Sequence, residues 1–144
     1  MWLTDHNIPY YFGHKSYKPQ CLKDWAGIST FMGKINTELQ VNCDSCLVVR
    51  YATEDQALSL HKDDEQIIDN DHPIVTASLG STRVLQFWDS KTECTGTLIK
   101  EINPSEGDLI VMNTGCQEKL WHKILQSTWL SRKIQPANLE FGSN

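Results

Sequence analysis

From Asn42 onward the chain is a succession of short β-like runs separated by turn-formers, and this texture limits the fold more than any other feature. The runs occupy 46–51, 57–63, 74–79, 84–88, 96–102, 108–112, 121–126 and 129–134. Turn signals lie at Asn70-Asp71-His72-Pro73, Gly80-Ser81, Asp89-Ser90-Lys91, Asn103 to Asp108 and Asn113-Thr114-Gly115. Eight strands at this spacing predict an all-β core, a jelly roll or double-stranded β-helix whose early and late strands line one cavity. No linker, repeat or low-complexity stretch divides the sequence. Residues 1–144 therefore read as a single domain, with 1–41 as lid and helix and 42–144 as the jelly-roll core.

The N-terminal part has a different character. Between Leu22 and Gln40, the residues Leu22, Trp25, Ala26, Ile28, Phe31, Met32, Ile35 and Leu39 recur at intervals of three and four. That period predicts an N-terminal amphipathic helix, interrupted near Gly27 or Gly33, with its apolar stripe in the core. Ahead of it, the aromatic stretch Pro9 to Pro19 follows neither helical nor strand period and reads as a loop. Two readings of it stand side by side. One is a hydrophobic lid packed on the core; the other has Tyr11 and Tyr17 stacking on bases while Lys15 and Lys18 meet phosphates.

Chemistry enters with His61-Lys62-Asp63-Asp64-Glu65. On a strand, residues i and i+2 leave the same face, so His61 and Asp63 would point the same way. A histidine and a carboxylate leave a metal under-coordinated; His122 on a late strand is the fitting third ligand. Two histidines and one carboxylate on one side of a metal form the facial triad of non-haem Fe(II) oxygenases, which keeps positions open for a co-substrate and O₂. Alone, H-x-D is a weak signal, because a charged surface turn produces the same tripeptide. His6 and His14 fall in the aromatic segment and His72 in a turn, and we read them as non-ligands.

Composition narrows the setting. A net charge of -5 with pI near 5.4 excludes a generally basic, nucleic-acid-coating surface, so any such contact has to be local. No apolar run reaches membrane-spanning length and the start lacks a signal-peptide pattern, which predicts a soluble, cytoplasmic protein with no membrane segment in this chain. Five cysteines, without dense spacing, suit free thiols in a reducing compartment. Cys43-Asp44-Ser45-Cys46 has C-x-x-C spacing, but no second pair follows at zinc-finger distance.

The motifs combine into a larger pattern. Tyr51, then His61-x-Asp63-Asp64-Glu65, then the run Pro73 to Phe87 containing Ser78-Leu79-Gly80, then Gly107-Asp108-Leu109-Ile110-Val111-Met112, then Cys116-Gln117 and His122 follow one another in order. Over roughly residues 42–134 this resembles the AlkB family of Fe(II)/2-oxoglutarate-dependent nucleic-acid dealkylases. The H-x-D-D-E form with Cys-Gln ahead of the distal histidine most resembles the AlkB-like domains of replicase polyproteins of positive-strand RNA plant viruses. The resemblance implies Fe(II), 2-oxoglutarate as co-substrate and O₂, with His61, Asp63 and His122 on the metal. It places the family's 2-oxoglutarate arginine at Arg132, whose planar fork suits a carboxylate, and matches Tyr51 to a tyrosine that helps hold the same molecule. It also implies host cytoplasm and a place in a larger polyprotein. Three departures bear on the co-substrate site. The family's second arginine, six residues after the first, is Asn138; Pro136 interrupts that strand; and the family's asparagine two residues before the tyrosine is Val49.

The substrate expected from this resemblance is an N-methylated base, 1-methyladenine or 3-methylcytosine, in single-stranded RNA and secondarily DNA. Glu65, two residues beyond Asp63 on a continuing strand, would approach the exocyclic amine of a flipped, cationic base; a solvated acidic turn is the plainer alternative. Two other functions stay open: a protein or small-molecule hydroxylase on the same fold, and a nucleic-acid-binding domain with a degraded co-substrate site.

Overall fold

A computed structural model describes residues 1–127. Arg132, the expected strand at 129–134, Pro136 and Asn138 lie outside the described residues. In chain order the elements are β1 (Trp2–Thr4), β2 (Tyr10–Phe12), β3 (Lys15–Tyr17), β4 (Pro19–Gln20), a 3-10 turn (Leu22–Asp24), α1 (Ala26–Leu39), β5 (Ser45–Leu47), β6 (Leu58–His61), β7 (Ile74–Ala77), β8 (Leu85–Trp88), β9 (Leu98–Ile102), β10 (Leu109–Met112), α2 (Cys116–Lys119) and β11 (Trp121–Ile124). Strands dominate and helices are few, as the turn-punctuated runs predicted. Each described run from Asn42 on coincides with one strand: β5 starts one residue ahead of its run, at Ser45, and the others lie within theirs.

The residues group into two compact units. The first comprises Met1–Arg50, Lys62–Thr76 and Leu109–Lys119. In it β1 lies between β4, parallel, and β5, antiparallel. Leu3 at the middle of β1 is fully buried, and Trp2 and Thr4 beside it are buried too. Burying a leucine completely stabilises by about 1.5–3 kcal/mol, which makes this strand a centre of the unit. β2 and β3 form a hairpin registered Tyr10↔Tyr17, and its turn includes Gly13 at a positive φ of 56°. β7 pairs with β10.

Two expectations about this N-terminal part are corrected. The aromatic stretch is a hairpin and not a loop or lid: Tyr10 is buried and stacks on Trp2 at 5.1 Å between ring centroids, and Tyr17 leans on Tyr10 at 6.2 Å. Strand pairing satisfies its backbone, a benefit that side-chain periodicity over three-residue strands does not reveal. The helix exists, but its stripe is not core. α1 buries none of its residues, Trp25 and Phe31 are exposed, and only Leu22 in the preceding 3-10 turn is buried. The break falls at Trp25 (φ -112°, ψ 65°), not at Gly27 or Gly33, through which the helix continues. Its end is tied down by Asn36, whose Nδ2 donates to the Cys43 carbonyl at 2.8 Å while its Oδ1 accepts from the Cys43 N–H at 2.9 Å.

The second unit comprises Tyr51–His61, Ala77–Asp108 and the chain from Leu120 on. Its sheet has the order β6-β11-β8-β9, with antiparallel pairing throughout. β8 runs through the middle: Val84, Leu85, Gln86 and Phe87 are all buried. Gln86 is tolerated there because its amide is paired, donating from Nε2 to Glu101 at 2.6 Å and accepting at Oε1 from Trp88 Nε1 at 3.1 Å. A strand buried on both faces holds β11 beside it, and β11 carries His122.

Candidate metal centre

His122 sits at the second position of β11, opposite Phe87 of β8 on one side and His61 of β6 on the other. Residues directly opposite in a ladder project to the same face. The two imidazoles therefore meet, with ring centroids 4.1 Å apart, and Phe87 lies 6.0 Å from the His122 ring. His122 is buried and His61 half-buried.

Asp63 follows His61 by two residues, but β6 ends at His61, so the same-face strand argument does not place it. The Asp63 N–H instead donates to Oε1 of Gln117 at 2.9 Å. Even so, one ligand atom from each of His61, Asp63 and His122 lies within 4.8 Å of the other two. Among the described residues this is the only such group of three histidine, cysteine or acidic side chains.

The donor set fits a divalent first-row metal. Nδ1 of His61 is 2.8 Å from the Ser59 carbonyl. A carbonyl oxygen only accepts, so Nδ1 carries the proton and the lone pair resides on Nε2, the tautomer a metal ligand needs. Two imidazole nitrogens and one carboxylate on one side suit Fe(II) with further positions open.

Glu65 is neither strand nor solvated turn. Its Oε2 is buried without a hydrogen-bond partner. Burial pushes the carboxyl above its usual range and the Asp63 charge pushes the same way, while the backbone N–H of Glu65 and the Tyr10 hydroxyl oppose them. The Tyr10 phenol is held well above its ordinary value, first by burial and then by the charges of Glu65 and Asp63. Asp64 faces solvent.

Tyr51 begins the second unit, and its hydroxyl is likewise buried without a hydrogen-bond partner. A bound carboxylate would satisfy such a group. The guanidinium of Arg83 lies 5.1 Å from the Tyr51 ring centroid and donates to the carbonyls of Thr53 and Gln56, each at 2.7 Å, and of Glu54 at 3.4 Å. Burial raises the Tyr51 phenol and the Arg83 charge opposes it. Arg132, the expected partner of Tyr51, lies outside the described residues. Of the residues suggested for nucleic-acid contact, Tyr11, Lys15 and Lys18 are exposed and Tyr17 is half-buried.

The sequence pattern assigns no role to Arg83 or Gln117, and it places Tyr10 in the base-stacking stretch, not beside Glu65. Cys116-Gln117 ahead of the distal histidine was a visible signal for Gln117, but what it touches is not.

The chain matches the family model of the 2OG-Fe(II) oxygenase superfamily over residues 1–133. No curated protein matches it. Among the described residues, no helix is long and apolar enough to cross a membrane.

Proposed function

The chain belongs to the 2OG-Fe(II) oxygenase superfamily, whose members use Fe(II), 2-oxoglutarate and O₂, and from that premise we propose that it oxidatively demethylates N-methylated bases of nucleic acid. The substrates are 1-methyladenine and 3-methylcytosine in single-stranded RNA, with DNA secondary. The whole chain acts as one AlkB-like domain with a jelly-roll core, of the kind carried in the replicase polyproteins of positive-strand RNA plant viruses and working in the host cytoplasm.

His61, Asp63 and His122 hold the iron, and Tyr51 with Arg132 holds 2-oxoglutarate. When bound, the cofactor set supplies the oxidation of an N-methyl C–H bond, after which the hydroxymethyl group leaves as formaldehyde. The chain's own residues select and orient the base. The observation that carries the nucleic-acid reading is Glu65, a carboxylate two residues from a metal ligand with one oxygen shielded from water and without a protein partner. That oxygen is suited to accept from the exocyclic amine of adenine or cytosine. Its negative charge favours the cationic, ring-methylated base over the neutral one. Tyr11 and Tyr17 offer stacking surfaces and Lys15 and Lys18 phosphate contacts.

The test is mass spectrometry of 1-methyladenine RNA oligonucleotides after incubation with Fe(II), 2-oxoglutarate and ascorbate, comparing wild type with Glu65→Ala. Wild type removes the methyl group; the variant loses most of that activity and still consumes 2-oxoglutarate without substrate. A variant as active as wild type removes Glu65 from base recognition. If wild type consumes 2-oxoglutarate but acts on no methylated oligonucleotide, the chain is a hydroxylase of another substrate class. If it consumes none, it is a binding domain with a degraded co-substrate site.

A further inference from the structure

We infer that Gln117, on the short helix α2, is a positioning residue for the metal ligand Asp63; this rests on the proposed His61–Asp63–His122 site. The segment after His61 has left the sheet, so the Asp63 N–H is not held by a ladder bond. It donates instead to Oε1 of Gln117 at 2.9 Å. The other end of the Gln117 amide settles its orientation. Nε2 donates to the thioether of Met112 at 3.4 Å, and since that sulfur only accepts, the amide oxygen must face Asp63. Gln117 is buried, so its acceptor is neither diluted by water nor readily replaced by it.

A second bond joins the same two segments. Nζ of Lys62 donates to the Glu118 carbonyl at 2.6 Å, one of the last-turn carbonyls that a helix leaves without an internal partner. Successive residues of the ligand segment, Lys62 and Asp63, are thus pinned to successive residues of α2. Metal ligands held from behind in this way depend on their support, and removing it typically costs about 10- to 100-fold in metal affinity.

The test uses Co(II), titrated into the purified full chain and followed by its visible absorption, with wild type, Gln117→Met, Gln117→Glu and His61→Ala in parallel. Gln117→Met keeps the shape and removes the acceptor; Gln117→Glu restores an acceptor at the same place. We expect Gln117→Met to bind Co(II) about 10- to 100-fold more weakly, Gln117→Glu to stay within about threefold of wild type, and His61→Ala to lose the site. Thermal unfolding of the metal-free proteins separates positioning from folding. A Gln117→Met variant that melts lower but binds Co(II) as tightly as wild type overturns the proposal, leaving the triad intact because His61→Ala still fails. Wild type and His61→Ala taking up Co(II) equally would instead remove the triad, and the proposal with it.

Discussion

His61 and His122 are cross-strand partners on β6 and β11, with imidazole centroids 4.1 Å apart. Sixty-one positions separate them in the chain, so only the pairing of β6 with β11 makes them neighbours. On the proposed triad, a variant that removes either ring, or the Asp63 carboxylate, leaves two donors. His61→Ala, Asp63→Ala and His122→Ala should each abolish the visible charge-transfer band that anaerobic Fe(II) and 2-oxoglutarate give with wild type. A full-strength band in any one of them would remove that residue from the ligand set.

Arg83 spans three carbonyls of the 53–56 loop and covers the ring of Tyr51. Hydrogen bonds to a charged donor are worth about 1.5–3 kcal/mol, and solvent exposure of the site brings the expected loss for Arg83→Ala to about 2 kcal/mol, readable by urea unfolding. Because Tyr51 lies two residues ahead of that loop and under the guanidinium, the variant should also need more 2-oxoglutarate for half-maximal turnover. Arg83→Lys should recover little, since a single ammonium cannot reproduce a planar fork. Unchanged stability and co-substrate dependence would reduce Arg83 to a surface charge.

Neighbouring tyrosines of β2 should behave differently. Tyr10 is 3 % exposed against Trp2, whereas Tyr11 is 60 % exposed. Tyr10→Ala should destabilise by about 3–5 kcal/mol, as truncating a buried aromatic does. Tyr11→Ala should stay within about 0.5 kcal/mol of wild type. On the nucleic-acid reading it should weaken single-stranded RNA binding by about 1–3 kcal/mol. Fluorescence anisotropy with a labelled oligonucleotide decides, and equal affinity would take Tyr11 out of the interface.

The thiols should divide by environment. Burial raises Cys43 and Cys46 above the ordinary thiol value, with the charge of Asp44 adding at Cys43 and that of Cys43 adding at Cys46, while Cys21 and Cys94 are exposed. Only the thiolate is nucleophilic. Near pH 8, iodoacetamide should modify Cys21 and Cys94 first, with Cys43 and Cys46 lagging until the pH rises further. Peptide mapping over time would show the order, and early labelling of Cys43 or Cys46 would contradict the buried environment.

Local pattern determined much of this protein. The described strand runs from Asn42 on were legible because each is a short apolar stretch bounded by turn-formers, and the three chemically distinctive residues His61, Asp63 and His122 stood out by type. β1 to β4 were not legible: two- and three-residue strands carry too few positions for a period, and they exist because β1 pairs with β4 and β5 while β2 and β3 pair with each other. The stripe of α1 is periodic in sequence yet unburied, since periodicity marks a face that can be covered and not whether anything covers it.

The site divides in the same way. Residue type and spacing pick out the candidate metal ligands, but same-face strand geometry does not place Asp63, because β6 stops at His61. Its N–H is held by Gln117, 54 positions away. Arg83 on Tyr51 and Tyr10 beside Glu65 are contacts of the same kind. A one-dimensional pattern records propensity and chemistry along the chain. Which distant side chain meets a given donor is decided by strand register and by where the chain leaves the sheet, and those belong to the tertiary structure alone.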